Sequence, residues 1–192
     1  MINRKFFFDQ VRISLFNGKL TLSQVKGLEA ILNEWEAGNS KKDDRWLAYM
    51  FATTHHETDT TMQPIEEYGK GKGKKYGRRL KMSGAAYTDT TNIFYGRGFV
   101  QLTWYENYDK AGKKLKADFI KHPEKVMELA NATKIMFLGM AEGWFTGKKL
   151  SDYFNPTKED WYNARRIING TDKASAIEAY GLKYYAAISY TI

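Results

Sequence analysis

A chain of 192 residues, 43% hydrophobic and 15% aromatic, has the length of one ordinary domain and enough apolar side chain to fill a core. It contains no cysteine, which excludes disulfides and thiolate metal sites and leaves packing to hold the fold. No stretch approaches the roughly eighteen consecutive apolar residues of a membrane span, and the opening segment from Met1 reaches Asp9 too soon for a secretory signal, so synthesis in the cytoplasm is expected. The net charge of +8 implies attraction to an anionic partner, whether nucleic acid, phospholipid or an acidic wall polymer, and does not choose among them.

In chain order, residues 1–40 read as an N-terminal helical segment. Its periodic part is Thr21 to Ala37, where Val25, Leu28, Ile31, Leu32 and Trp35 recur at three- and four-residue intervals and Gly38 follows as a stop. A second helix is expected from about Asp43 to Thr60, with Trp46, Leu47, Met50, Phe51 and Thr54 on one side and Asp43-Asp44 at the positive end of the dipole. Its last turns carry His55, His56 and Glu57. From Gln63 to Asn92 the pattern dissolves into a loop containing Gly69-Lys70-Gly71-Lys72-Gly73-Lys74-Lys75-Tyr76-Gly77-Arg78-Arg79, and insertions of this length are usually functional or disordered. Tyr95 to Thr103 can hold a short strand or hairpin arm. Helical periodicity returns in Pro123 to Ala132, Thr133 to Phe145, Thr157 to Ile168 and Lys173 to Ile188, with Pro123 suited to a first turn and Thr157 with Asp160 forming a capping box. The expectation is one mainly α-helical catalytic domain over residues 1–192, without internal repeats.

Two blocks carry chemistry. Glu57 closes a helix of largely apolar residues, a setting that desolvates a carboxyl group and lifts its pKa toward that of a general acid; otherwise it is a surface or capping glutamate. Glu66 and Glu67 supply a second carboxylate nine or ten residues on, past Pro64. Hydrolysis of a glycosidic bond with inversion uses two such groups about 6.5 to 9.5 Å apart. The same pair can instead balance the neighbouring lysines and arginines. His55, His56, Glu57 and Asp59 lack zinc-helix spacing because Thr60 stands where a second histidine is needed, so no metal is expected, and one of the two histidines should be buried, orienting Glu57 or nearby backbone.

The Gly-Lys loop has no P-loop order, so nucleotide hydrolysis is not expected. With Tyr68 and Tyr76 interleaved it can attract and stack single-stranded nucleic acid, or be a solvated surface loop. In Tyr95 to Tyr108 the rings can be core. Gln101, Thr103 and Asn107 between them suit a water and sugar hydroxyls, while Arg97 between Gly96 and Gly98 can pin a carboxylate by a bidentate contact.

The succession His56-Glu57-Thr58, Tyr95-Gly96-Arg97-Gly98, Gln101-Leu102-Thr103, Asn107-Tyr108 and Ile168-Asn169-Gly170 resembles the chitinase class I family, glycoside hydrolase family nineteen, including its compact phage and prophage endolysin branch. The resemblance spans about Ala48 to Gly170. It implies a lysozyme-like, two-lobed, mainly α fold with a central substrate cleft and at most a small β element, and inverting hydrolysis without a cofactor. Glu57 would be the general acid, Glu66 or Glu67 the base, and Thr103 would stand where the plant enzymes have the serine that holds the attacking water. Gln101, Asn107 and Asn169 match sugar-contacting positions, with Tyr95 and Arg97 as further candidate substrate contacts.

The chain departs from the family in three ways. Asp59-Thr60 replaces a frequent glycine pair, the plant cysteines are absent, and the basic loop has no close match. Peptidoglycan and chitin share β-1,4-linked N-acetylglucosamine chemistry. A basic, cysteine-free chain without a signal suits a lysin that accumulates inside a bacterium and leaves through a pore. A monomeric muramidase-type endolysin acting on peptidoglycan is therefore expected, with a chitinase as the alternative and a non-catalytic wall- or nucleic-acid-binding protein as the second; no membrane span and no specific nucleic-acid partner are expected.

Overall fold

The computed structural model describes residues 1–38 and 43–190. They form two compact units, Met1–Met62 with Phe137–Ile192, and Gln63–Met136. The first unit holds α1 (Arg4–Ser14), α2 (Leu22–Ala37), α3 (Asp44–Glu57) and α6 (Ala174–Ala187). Each of the first three begins on a side chain that accepts a free backbone N–H: Asn3 from Phe6, Thr21 from Gln24 in a full capping box, and Asp43 from Arg45. In α3 every residue from Leu47 to His55 is buried, so the expected one-sided helix is buried all round and forms the centre of the unit. It packs along α6, where Phe51 stacks on Tyr184 at 5.0 Å between ring centroids and Phe7 of α1 joins at 5.1 Å from Phe51. Gly181 of α6 lies against Trp161, whose ring would sit 2.8 Å from any Cβ placed there.

The first unit also contains a correction. Thr157 to Ile168 is not a helix: β3 (Phe154–Asn155) and β4 (Lys158–Glu159) form a hairpin, followed by a 3₁₀ turn over Asn163–Ile167. The Asn155 side chain accepts from both the amide and the hydroxyl of Thr157 at 3.0 Å, fixing a turn around Pro156. Asp160, expected to complete a capping box with Thr157, accepts instead from the Asn163 amide.

In the second unit β1 (Ile65–Glu66) pairs antiparallel with β2 (Arg97–Gly98), which sets Glu66 opposite Arg97. An unanticipated helix, α4 (Tyr105–Leu115), buries Tyr108 and Ala111, and Phe94 packs on Tyr108 at 5.0 Å and on Tyr87 at 5.4 Å. The two helices expected over residues 123–145 resolve into a 3₁₀ turn at Pro123–Met127 and one helix, α5 (Leu129–Glu142). The break falls at Glu128, whose extended backbone ends the turn and whose carboxylate accepts from the Asn131 side chain.

Helix α3 stops at Glu57 rather than Thr60. The Thr58 hydroxyl donates to the Thr54 carbonyl and accepts from the Met62 amide, while Asp59 (φ 49°), Thr60 (φ 64°) and Met62 (φ 54°) turn left-handed. That conformation costs an L-residue about 1 kcal/mol or more and is least tolerated by a β-branched one. The departure from the family's glycine pair is therefore a strained one. Thr60→Gly should raise stability by about 1 kcal/mol, read as a rise of roughly 2–4 °C in thermal midpoint; a fall would contradict the left-handed assignment.

Candidate active site

In the first unit, Glu57 does not meet the apolar setting expected of it. Its Oε1 accepts from Nη1 of Arg165 at 2.6 Å, and Nε of that nearly buried arginine donates to the Asp172 carbonyl at 3.1 Å. Oε2 of Glu57 has no hydrogen-bond partner among the described residues, so one oxygen is fixed and the other is available. His55 is the buried histidine, on the Tyr184 hydroxyl at 3.0 Å, and burial pushes its pKa down to about 4. Burial also lowers His56, although the Glu57 charge opposes the shift. The group that orients Glu57 is thus Arg165 and not a histidine. Asn169, in the same unit, is exposed, and its side-chain oxygen accepts from the Gly170 amide.

In the second unit, Arg97 does pin a carboxylate, but the carboxylate is the protein's own Glu66 and the contact uses one nitrogen rather than two. Nε donates to Glu66 Oε1 at 2.9 Å and Nη1 donates to the Ile93 carbonyl and the Tyr108 hydroxyl, while the guanidinium lies 3.6 Å from the centre of the Tyr95 ring. The Tyr95 hydroxyl donates to the same Glu66 oxygen at 2.8 Å. Partial burial pulls the Glu66 carboxyl upward, but the bonds from Arg97 and Tyr95 with the charges of Arg97 and Lys70 outweigh it and hold the pKa below 4.5.

Glu67 is held differently. Tyr76 donates its hydroxyl to Oε1 at 3.0 Å and the Gly96 amide donates to Oε2 at 3.1 Å. Burial followed by this bond raises the Tyr76 phenol to about 12, so it stays a donor.

The two glycines around Arg97 have separate causes. Gly98 has φ +91°, whereas Gly96 leaves room for Gln101, whose Oε1 would lie 2.6 Å from a Cβ at that position. Gln101 in turn donates to the Ile65 carbonyl at 3.2 Å. Thr103 is half-buried between two residues with left-handed φ, Gln101 (51°) and Trp104 (73°), and its hydroxyl makes no hydrogen bond among the described residues. Asn107 is only 7% exposed, and its side-chain amide is likewise without a partner there. Among the described residues no group of three or more His, Asp and Glu side chains is placed to hold a metal ion.

The structure thus brings Tyr95 and Arg97 to Glu66 and Gln101 to the Ile65 carbonyl of β1, and leaves Thr103 and Asn107 with side chains that have no hydrogen-bond partner among the described residues. Sequence reasoning missed Arg165, and named Tyr76 as a stacking ring of the basic loop rather than as the partner of Glu67. Neither lies in a motif, and each meets its glutamate only through folding.

Solved structures place the fold among the chitinases. The chain aligns with a bacterial family 19 chitinase at TM-score 0.58 and 20% identity, covering 94% of this chain and 92% of that one. A class IV chitinase from Zea mays aligns at 0.60 and 17%, with 89% and 87% covered. The sequence profile described as Chitinase class I matches residues 27–155, and the chain belongs to that family, glycoside hydrolase family 19. The match begins in α2, earlier than the motifs, and stops in β3, short of Asn169. An acidic endochitinase from Petunia hybrida is 32% identical over 154 residues, 76% of this chain and 52% of that protein. Acidic endochitinase SP2 from Beta vulgaris is 36% identical over 109 residues, 56% of this chain and 35% of that protein. The chain therefore spans about half or less of the length of these curated relatives.

The Arg97–Glu66 pair has a signed pH consequence. Because the folded carboxyl is depressed, its contribution is complete above the ordinary value of 4.5 and is lost as pH falls through the lower folded value. Urea titrations of wild type and Glu66→Gln should differ most above pH 5 and converge in acid. A constant difference across that range would remove the ion pair as its source.

Proposed function

We propose that the chain hydrolyses β-1,4-linked N-acetylglucosamine polysaccharide, a chitin-type strand, by single displacement with inversion. The observation that carries this reading is Glu57, which the motif resemblance makes the acid, fixed through one oxygen by a buried arginine and without a hydrogen-bond partner on the other among the described residues. Oε2 is then the oxygen that carries the proton to the leaving glycosidic oxygen, and Arg165 stabilises the carboxylate that remains. The endochitinase names of the curated relatives support the same substrate class.

Between the two candidates for the base, we assign Glu67. Glu66 is neutralised by Arg97 and Lys70 and its pKa is depressed, which suits a structural ion pair more than proton abstraction. Glu67 is oriented by two neutral donors, Tyr76 and the Gly96 amide. Thr103 then holds the attacking water, and Asn107, Gln101 and Asn169 contact the sugar; the hydroxyl of Thr103 and the amide of Asn107, both without a partner among the described residues, support the roles of those two. Peptidoglycan carries a related linkage, and the +8 charge favours adsorption to acidic wall polymers, so a bacterial-wall lysin is the second reading.

Glu57→Gln should abolish release of reducing ends from soluble chitin while leaving circular dichroism unchanged, and full activity would remove the acid role. Glu67→Gln should lower kcat by about 10² to 10⁴ and Glu66→Gln far less; the reverse order would transfer the base to Glu66. Tyr76→Phe deletes a hydrogen bond that orients Glu67 and should lower kcat about tenfold with KM little changed, and an unchanged kcat would sever Tyr76 from the base.

A further inference from the structure

The charge of the chain is unevenly placed. Residues 63–136 carry fifteen lysines and arginines against eight acids, whereas the rest of the chain carries fifteen against fourteen. No acid occurs between Glu67 and Asp89. Within that stretch Lys72, Lys74, Lys75, Arg78 and Arg79 are all exposed, and none has an ion-pair partner among the described residues. Elsewhere in the unit Lys113 and Lys121 each have an acid three or four residues away.

These cations do not sit on a featureless loop. The chain crosses itself at two glycines: a Cβ on Gly77 would lie 1.7 Å from the Gly71 carbonyl oxygen, and one on Gly71 would lie 2.6 Å from the Gly77 Cα. Successive turns close the arch, with the amides of Lys72, Lys74, Gly77 and Arg78 donating to the carbonyls of Gly69, Gly71, Lys74 and Lys75. The Tyr76 hydroxyl then ties the arch to Glu67.

We infer that the arch from Gly69 to Arg79 is a docking rim for carboxylate groups carried by the glycan strand itself, so that the preferred substrate is an acidic polysaccharide rather than a neutral one. This rests on the hydrolase reading above. A polyanion seated on the arch lies beside Glu67 and would obstruct that residue unless it were itself the substrate. Nucleic acid fits less well, because single-strand binding uses successive open rings. Tyr76 has its hydroxyl on Glu67 and its edge on Trp104, which leaves Tyr68 as the loop's exposed ring. A carboxylate can be held by a lysine ammonium group as a point charge, without any ring to stack on.

The test compares two soluble polymers of one backbone, neutral glycol chitin and carboxymethyl chitin, binding the full chain at low and high salt. Wild type should bind the carboxymethyl polymer more tightly at low salt and lose the preference at high salt. The triple variant Lys72→Ser, Lys74→Ser, Lys75→Ser leaves both crossing glycines and Tyr76 in place. It should weaken carboxymethyl chitin binding about tenfold, the order expected of three surface ion pairs, and bring the affinity ratio close to one. A wild-type ratio already near one, a triple variant with an unchanged ratio, or an oligonucleotide that binds the arch more tightly than the carboxylated polymer would each overturn the inference. Preferential binding without release of reducing ends from either polymer would sink the hydrolase reading and leave the rim standing, whereas hydrolysis of both with equal affinity would do the opposite.

Discussion

A guanidinium taken out of water needs carboxylates and carbonyls around it, and each unit of this chain meets that requirement at one buried arginine. Arg97 faces Glu66, the Ile93 carbonyl and the Tyr108 hydroxyl. Arg165 faces Glu57 and the Asp172 carbonyl. In both cases the carbonyl lies on a loop close to the arginine in sequence, while the carboxylate arrives from a distant element. The nearby carbonyl and the distant carboxylate together hold each guanidinium in place. Leaving either cation unpaired would strand a buried charge, so the orientation of Glu66 and of Glu57 is enforced by stability.

The backbone between Phe94 and Trp104 is equally constrained. Gly98 takes a conformation that L-residues avoid, Gly96 leaves space for an amide side chain, and Gln101 and Trp104 are held left-handed without being glycine. Strain of this kind persists only where the surroundings over-determine it. Here the surroundings are the Arg97–Leu102 bridge, the bond from the Trp104 amide to the Phe94 carbonyl, and the fixed ring of Tyr108. The result is a tight excursion that leaves the hydroxyl of Thr103 and the amide of Asn107 without hydrogen-bond partners among the described residues.

Much of the first unit was legible because it is written in helix grammar. Thr21 with Gln24 and Asp43 before Asp44 are caps recognisable from residue type, and α2, α3 and α6 follow their apolar spacing within a few residues. The failures share a cause. Thr157 to Ile168 has helical spacing, yet the Asn155 side chain captures the backbone of Thr157 and diverts the chain into a hairpin. Helix α4 is not announced by the sequence, because Trp104 offers no capping side chain to mark its start. For the candidate site, the motifs single out Glu57, Gln101, Thr103 and Asn107 by type and order. They could not reveal that Arg97 is consumed by Glu66, or that Tyr76 from the basic loop reaches Glu67, since both are facts of tertiary contact.

The histidines before Glu57 illustrate why a titratable residue beside a catalytic candidate need not take part. His55 is driven to about 4 by burial and therefore packs as a neutral ring against Phe16, Tyr180 and Tyr184. His56 is also lowered, by partial burial. A ring that stays neutral near Glu57 adds no positive charge beside it, so the cation acting on that carboxylate is the permanent one on Arg165. A permanent cation holds its geometry across the whole working pH range, whereas an imidazolium would release it as pH rose through its pKa. Under the acid role proposed for Glu57, its partner is one whose own charge never changes.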